Sequence, residues 1–358
     1  MHSARMVFSL GRLHATSLTP RVQDMSIDSK VVVVGTSAGG LDALRRLLGA
    51  LPSDFQAPVL VVMHIGNHYS MLPRILERDV RMPVRHAENN EPLVPGTILI
   101  APPDYHMLVE DGLVRLSRAA KENFSRPAID PLFRCAAVYY RQNAIGVILT
   151  GRLDDGTIGL QAIKAYGGVA LVQDPNEADE PEMPRSALQH VAVDDCLPLD
   201  GLAQRLIELT SPENPVQRPQ PPVTLEWVKT DVQSRFALRQ RSDIRDLGRI
   251  ATPAGIACPE CHGGLWQVDG VTPLQFRCHT GHSYTEQNLL YGQDLAIEEA
   301  VWAAVRALHE KQMVLTRLAE SASKPGLEKA AAEHNASADA LASHAEKLRS
   351  IITGRQRD

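Results

Sequence analysis

The chain has 358 residues, of which 44% are hydrophobic and 22% charged, enough for two or so folded units with sizeable cores and too apolar for a disordered chain. A formal net charge of −5 gives no global pull toward nucleic acid or an anionic membrane surface. No apolar run approaches the roughly 18–20 residues of a membrane span, and five unevenly placed cysteines do not make a secreted disulfide framework, so a reducing cytoplasm is the expected location.

Residues 1–28 mix polar residues with scattered arginines and lack the apolar stretch of a secretory signal; they read as a disordered tail. Val31–Val34, four valines in succession, have the character of a strand buried on both faces. Gly35-Thr36-Ser37-Ala38-Gly39-Gly40 then permits a sharp turn into a helix with apolar residues at Leu44, Leu47 and Leu48. Two chemistries compete at this turn. A dinucleotide cradle needs glycine where Ser37 stands and an acidic strand end where His64 stands, and no Gly-Lys-Ser/Thr follows for a phosphate loop. A nucleophile elbow needs G-x-S-x-G between strand and helix, which Gly35–Gly39 supplies. The pattern is loose, and a purely structural glycine-rich turn fits it as well.

Further strands are expected at Pro58–His64, Val84–Ala87, Thr97–Ala101, Ala144–Thr150 and Val169–Gln173. Helices are expected at Ser70–Arg78, Pro131–Gln142 with Asp130 as its N-cap, Ile158–Ala165 and Leu202–Leu209. Met107–Val109 and Leu113–Leu116 flank Glu110-Asp111-Gly112 as an antiparallel hairpin. Strands alternating with helices predict an α/β unit over 29–210, doubly wound on a mostly parallel sheet with an antiparallel edge hairpin. Residues 211–223 are proline-dense and read as a linker, and 224–250 as a charged helical connector. A small metal-binding module is expected over 251–292 and a helical hairpin over 293–353, broken at Ser321–Gly326.

Polar residues interrupt the apolar strands at telling places. Ser37 follows the first strand, His64 ends the second, and Asp154-Asp155 follow the strand ending at Thr150. The carboxyl ends of parallel strands form the ligand crevice of an open α/β sheet, so the three can converge. Together they have the composition of an activated serine: the carboxylate sets the imidazole tautomer and the imidazole takes the serine proton. A hydrogen-bonded structural histidine and an ordinary Asp-Asp-Gly turn are the plainer readings.

Residues 31–206 resemble the catalytic domain of the CheB protein-glutamate methylesterases. The resemblance rests on seven segments in order: 34–40, Met63-His64, 95–106, Arg126–Asp130, 149–156, Gln173-Asp174 and Met183-Pro184. It implies Ser37 as nucleophile, His64 as base, and Asp155 rather than Asp154 as the orienting carboxylate, with His106 at the active-site edge or supporting the fold. It further implies hydrolysis of glutamate methyl esters, with glutamine deamidation in some members, on the cytoplasmic part of methyl-accepting chemoreceptors, through an acyl-enzyme and with no catalytic cofactor. Ala38 stands where the family usually has threonine, and Arg152-Leu153 where it has Met-Gly. Both changes fall in the oxyanion region, where one lost donor costs on the order of 100-fold in rate. The residues before 31 are too few for the family's usual receiver domain, so control is expected from the C-terminal half or from other chemosensory proteins.

Cys258-x-x-Cys261 and Cys278-x-x-x-His282 have the spacing of a structural zinc site, with His282 preferred to the cramped His279 as fourth ligand. Two reduced cysteines without metal are the alternative. The pattern also resembles a zinc-ribbon-like extension of some CheB relatives. The leading expectation is therefore a cytoplasmic serine methylesterase. Its alternative is a catalytically weak adaptor that docks receptors in a chemosensory pathway.

Overall fold

The computed structural model describes residues 29–66, 69–213, 224–241, 243–322 and 327–355. The expected N-terminal tail, most of the 211–223 linker and the Pro325-Gly326 helix stop lie outside the described residues.

Nine strands build the α/β unit, seven of them in the central sheet: β1 (Val31–Thr36), β2 (Val59–Met63), β3 (Val84–His86), β4 (Ile98–Ile100), β5 (His106–Glu110), β6 (Leu113–Ser117), β7 (Ala144–Ile148), β8 (Val169–Gln173) and β9 (Asp195–Leu197). The central sheet runs β3-β4-β2-β1-β7-β8-β9 and every neighbouring pair in it is parallel. β5 and β6 form the expected antiparallel hairpin, as a two-stranded sheet of its own beside the large one. The helices α1 (Gly40–Gly49), α2 (Leu72–Leu76), α3 (Ile129–Tyr140), α4 (Thr157–Ala165), α5 (Glu182–His190) and α6 (Leu199–Thr210) supply the crossovers.

The valine run of β1 makes physical sense in this frame. Val31 and Val33 join the core under α3 and α4, whereas Val32 and Val34 join the opposite core under α1 and α6. A central strand covered on both sides needs apolar residues at every position. Gly35 continues the strand where a Cβ would collide with the side chain of Ile129, so the turn's first glycine is demanded by close packing. From β1 the chain winds one way through β2 and β4, then the other way through β7, β8 and β9, so the sheet changes direction between β1 and β7. That switch point is where ligands bind in such sheets.

Beyond residue 224, α7 (Leu225–Arg239) lies against the α/β unit. The Trp227 indole stacks on Tyr166 with ring centroids 4.1 Å apart and donates to the Ala165 carbonyl at 2.9 Å. After the short α8 (Ile244–Leu247) come β10 (Ala251–Ala257), β11 (Gly264–Val268), β12 (Gln275–Cys278) and β13 (Ser283–Thr285), an antiparallel sheet in sequence order. α9 (Glu286–Ser321) and α10 (Glu328–Arg355) form the helical hairpin. α9 has 36 residues and begins seven residues before the expected 293, because Thr285 caps it by accepting the Asn288 amide at 3.3 Å.

Candidate active site

β1 delivers Ser37 into a turn held against β7: Ser37 N–H donates to the Thr150 carbonyl at 3.0 Å, and Thr36 Oγ1 donates to the same oxygen at 2.8 Å. Gly39, at φ 75°, takes the left-handed conformation that lets α1 start two bonds later. One strand over, the His64 amide donates to Thr36 O at 3.2 Å, which brings the histidine ring beside the serine. His64 Nδ1 lies 3.1 Å from Ser37 Oγ, and His64 Nε2 lies 2.7 Å from Asp155 Oδ2. Ser37, His64 and Asp155 thus sit in one hydrogen-bonded row at the ends of β1, β2 and β7. The ring nitrogens are exchanged relative to the serine-protease arrangement, with the same chemical result: the carboxylate holds a proton on Nε2 and leaves the Nδ1 lone pair facing the hydroxyl.

Asp155 is buried and heavily donated to. Its Oδ2 also accepts the Ile129 amide at 2.7 Å, and its Oδ1 accepts Asn123 Nδ2 at 2.9 Å and the Asp130 amide at 3.3 Å. Burial pushes its pKa up, but His64, the Ile129 amide and Asn123 outweigh that and hold the carboxyl down at about 2. Asp130 is not the cap of α3: the helix starts at Ile129 and the Asp130 side chain turns back to accept the Gly159 amide at 2.6 Å. Burial, and then the Asp155 charge beside it, push Asp130 well above the usual carboxylate range.

The other expected residues divide. The Arg152 guanidinium is 68% exposed and paired with Glu180 at 2.8 Å. The amides of Ser37, Gly151 and Leu153 are spent on Thr150 O, Glu180 O and Glu182 Oε2. The amides of Ala38 and Arg152 have no partner among the described residues. His106, expected at the edge of the site or supporting the fold, is an internal residue. It is 1% exposed, its Nε2 donates to Ala120 O at 3.0 Å, and its Nδ1 accepts the Ala128 amide at 3.2 Å. Burial pushes it toward the neutral form, so it supports the turn whose next residue, Ile129, holds Asp155.

Sequence reasoning passed over Asn123 and Glu122, and weighed Asp154 only as the alternative to Asp155. Glu122 is buried between Arg134, at 2.8 Å, and Arg277 of β12, at 2.7 Å. Burial raises its pKa, but the two guanidiniums outweigh that and hold it down at about 2. Asp154 is buried against the start of α9, with Oδ1 accepting Thr285 Oγ1 at 2.6 Å and Asn288 Nδ2 at 2.5 Å. Its Oδ2 is buried with no partner among the described residues. Burial, with the Asp155 charge adding to it, outweighs the Thr285 and Asn288 hydrogen bonds and pushes Asp154 up to about 6. The folded protein therefore holds this proton more tightly than the unfolded chain. The stability it contributes is complete below about pH 4 and is lost as the pH rises through about 6. Asp154→Asn keeps an acceptor for Thr285 and removes the charge. Its melting temperature is expected to match wild type near pH 4 and to exceed it near pH 8, by on the order of 2 kcal/mol in stability. A variant less stable than wild type at pH 8 contradicts this.

Further from the serine, Cys258, Cys261, Cys278 and His282 present ligand atoms that all lie within 4.8 Å of one another. The Cys258 Sγ–His282 Nδ1, Cys261 Sγ–Cys278 Sγ and Cys278 Sγ–His282 Nδ1 separations are 3.7, 3.7 and 3.6 Å. Zinc bond lengths require tetrahedron edges of about 3.6–3.8 Å for sulfur and nitrogen ligands. The cluster fits a closed Cys3His site, with His279 outside it.

A serine, a histidine and a carboxylate at the switch point of an open, doubly wound α/β sheet are the residue types of a hydrolase. The CheB methylesterase family matches residues 32–206, and the chain belongs to that family. A Leptospira interrogans relative with a protein-glutamate methylesterase/protein-glutamine glutaminase name is 42% identical over 182 residues, half of this chain and 94% of its own length. Protein-glutamate methylesterase/protein-glutamine glutaminase 2 of Anaeromyxobacter dehalogenans is 42% identical and is covered over 53% of its length, against 51% of this chain. The crystal structure of the Thermotoga maritima CheB methylesterase catalytic domain is 35% identical, covers 51% of this chain and 98% of its own, and superposes with a TM-score of 0.49. No helix among the described residues is long and apolar enough to cross a membrane.

Proposed function

We propose that the protein is a serine hydrolase that removes methyl esters from glutamate side chains of chemoreceptor-type signalling proteins and deamidates glutamines at such positions. The observation that carries the reading is the row from Ser37 Oγ through His64 to the buried, ionised Asp155, at 3.1 and 2.7 Å. In this reading Ser37 Oγ attacks the ester carbonyl carbon as its proton passes to His64 Nδ1. The imidazolium, stabilised by Asp155, then protonates the departing methoxide, and methanol leaves a γ-glutamyl ester on Ser37. Water attacks that acyl-enzyme, giving its proton to the same nitrogen, and glutamate is released. With glutamine the leaving group is ammonia, a poorer one that needs more help from the acid. The amides of Ala38 and Arg152 are the donors left for the oxyanion, and neither depends on the side chain at its position.

In the same reading Cys258, Cys261, Cys278 and His282 hold a structural zinc ion. Bound zinc would tie the two turns of the small sheet together, and no step of the hydrolysis passes through it. A docking adaptor without chemistry would have no need of a buried carboxylate kept ionised behind a histidine.

The test is methanol release from a methylated chemoreceptor cytoplasmic domain, with ammonia release from its glutamine form, using the intact chain. Turnover of the ester, faster than that of the amide, is expected. Neither product from either substrate overturns the proposal.

A further inference from the structure

Asn123 faces two ways. Its Nδ2 donates to Asp155 Oδ1 at 2.9 Å and reaches Asp130 Oδ2 at 3.3 Å. Its Oδ1 accepts the Thr285 amide at 3.1 Å, and its own amide donates to the Ser283 carbonyl at 2.8 Å. The amide's orientation is dictated by these partners, because one side presents only acceptors and the other only a donor. Asn123 has φ 50°, a left-handed conformation that asparagine tolerates better than most side chains.

Ser283 and Thr285 belong to β13, the last strand of the Cys/His sheet, and Thr285 also caps α9. The residue before the triad carboxylate, Asp154, is held by Thr285 and Asn288. The residue before Asn123, Glu122, is held by Arg277 of β12. Phe124, the residue after it, packs on Tyr284 with ring centroids 4.7 Å apart. Segment 122–124 therefore lies between the triad carboxylate and the C-terminal sheet, gripped from both sides.

We propose that Asn123 is a positioning residue for Asp155, and that the Cys/His sheet holds Asn123 in register through the Thr285 amide, which makes the C-terminal module a working part of the hydrolase. The proposal rests on the reading of Ser37, His64 and Asp155 as the triad. Asp155 touches no substrate; its task is to keep the His64 ring aimed and in the right tautomer, and that task is sensitive to small displacements. Asn123 contributes one of the donors that keep the carboxylate ionised and still. The sheet contributes the acceptor-side contact that stops the amide from swinging away.

The test compares kcat and KM for methanol release, and the rate of Ser37 labelling by a fluorophosphonate, in full-length variants. Asn123→Asp keeps the acceptor for Thr285 but loses the donor to Asp155. Asn123→Gly suits the backbone and loses both contacts. Thr285 has φ −73°, already in proline's range, so Thr285→Pro deletes the amide hydrogen, and comparison with Thr285→Ala isolates that hydrogen from the loss of the hydroxyl. kcat is expected to fall about 10- to 100-fold in both Asn123 variants, with KM near wild type and labelling slowed in parallel. Thr285→Pro is expected to fall about 10-fold below Thr285→Ala. Folded Asn123 variants with wild-type kcat overturn the proposal. Should both fail to fold, equal kcat in Thr285→Pro and Thr285→Ala overturns it. Ser37→Ala run alongside separates the causes: if it stays active, the triad reading falls and this proposal with it, whereas an inactive Ser37→Ala beside fully active Asn123 variants removes the positioning role alone.

Discussion

Ser37→Ala is expected to lower kcat for methanol release by at least about 10⁴-fold, leaving the affinity for the methylated protein substrate nearly unchanged. The size follows from what the residue would do. No other hydroxyl or thiol is hydrogen-bonded to His64 among the described residues, and Oγ is the atom facing Nδ1 at 3.1 Å. Without it the acyl-enzyme cannot form, and what remains is the small effect of the oxyanion donors on direct attack by water. His64→Ala is expected to match it, and the double variant to be no worse than either single one, because the two residues act as a unit. Asp155→Asn leaves the packing of the loop nearly intact but presents an amide where His64 Nε2–H needs an acceptor, and its cost is expected to be about 10⁴-fold by favouring the wrong tautomer. The measurements are single-turnover methanol release and labelling of the serine by a fluorophosphonate. A Ser37→Ala protein that still turns over the ester at the wild-type rate removes Ser37 from the chemistry altogether.

Cys278→Ser is expected to remove one equivalent of zinc and to unfold the β10–β13 sheet while the α/β domain stays folded. Structural zinc sites contribute on the order of 10 kcal/mol in small domains. The apolar core around this one is thin: Cys258 and Cys278 themselves belong to it, beside Leu265, Phe276, Tyr284 and Leu289. Loss of the sheet also withdraws Arg277 from Glu122, and breaking a buried ion pair by removing one partner costs about 3–5 kcal/mol. The expected picture is one calorimetric transition of reduced enthalpy, that of the catalytic domain alone, where wild type shows the module and catalytic domain melting together. Hydrogen exchange should open first at 251–285 and then at the 122–124 segment. Elemental analysis of the wild type supplies the independent readout. Protein purified without chelators that carries no zinc, or a Cys278→Ser variant that melts like wild type, rules the site out.

Much of this could be read from the chain. The Val31–Val34 run, Pro58–His64 and Ala144–Thr150 are apolar at every position because their strands are covered on both faces, and that requirement is local and leaves a plain mark. The G-x-S-x-G turn likewise carries its geometry in its glycines: Gly35 for close packing on Ile129 and Gly39 for a positive φ. Cysteine and histidine at knuckle spacing announce themselves in the same way, since few other roles explain them. The strand ends marked Ser37, His64 and the Asp154-Asp155 pair, the family resemblance chose Asp155, and the structure brings Ser37, His64 and Asp155 together.

Only the tertiary structure decided the rest. β9 is three residues, half-exposed and without an apolar run, and it exists because β8 offers an edge to pair with. The hairpin's place beside the sheet, the inward turn of His106 and the outward turn of Arg152 depend on which polar partner each side chain finds, and nothing in the neighbouring residues signals that choice. Asn123 meets Thr285 across 162 positions, and Asp154 meets it across 131. A buried polar side chain must be hydrogen-bonded somewhere, but its partner is chosen by the packing of whole elements, which no periodicity encodes. The sequence by itself therefore marked the buried strands, the glycine-rich turn and the Cys/His cluster. The fold alone decided that the C-terminal sheet stands directly behind the carboxylate that orients His64.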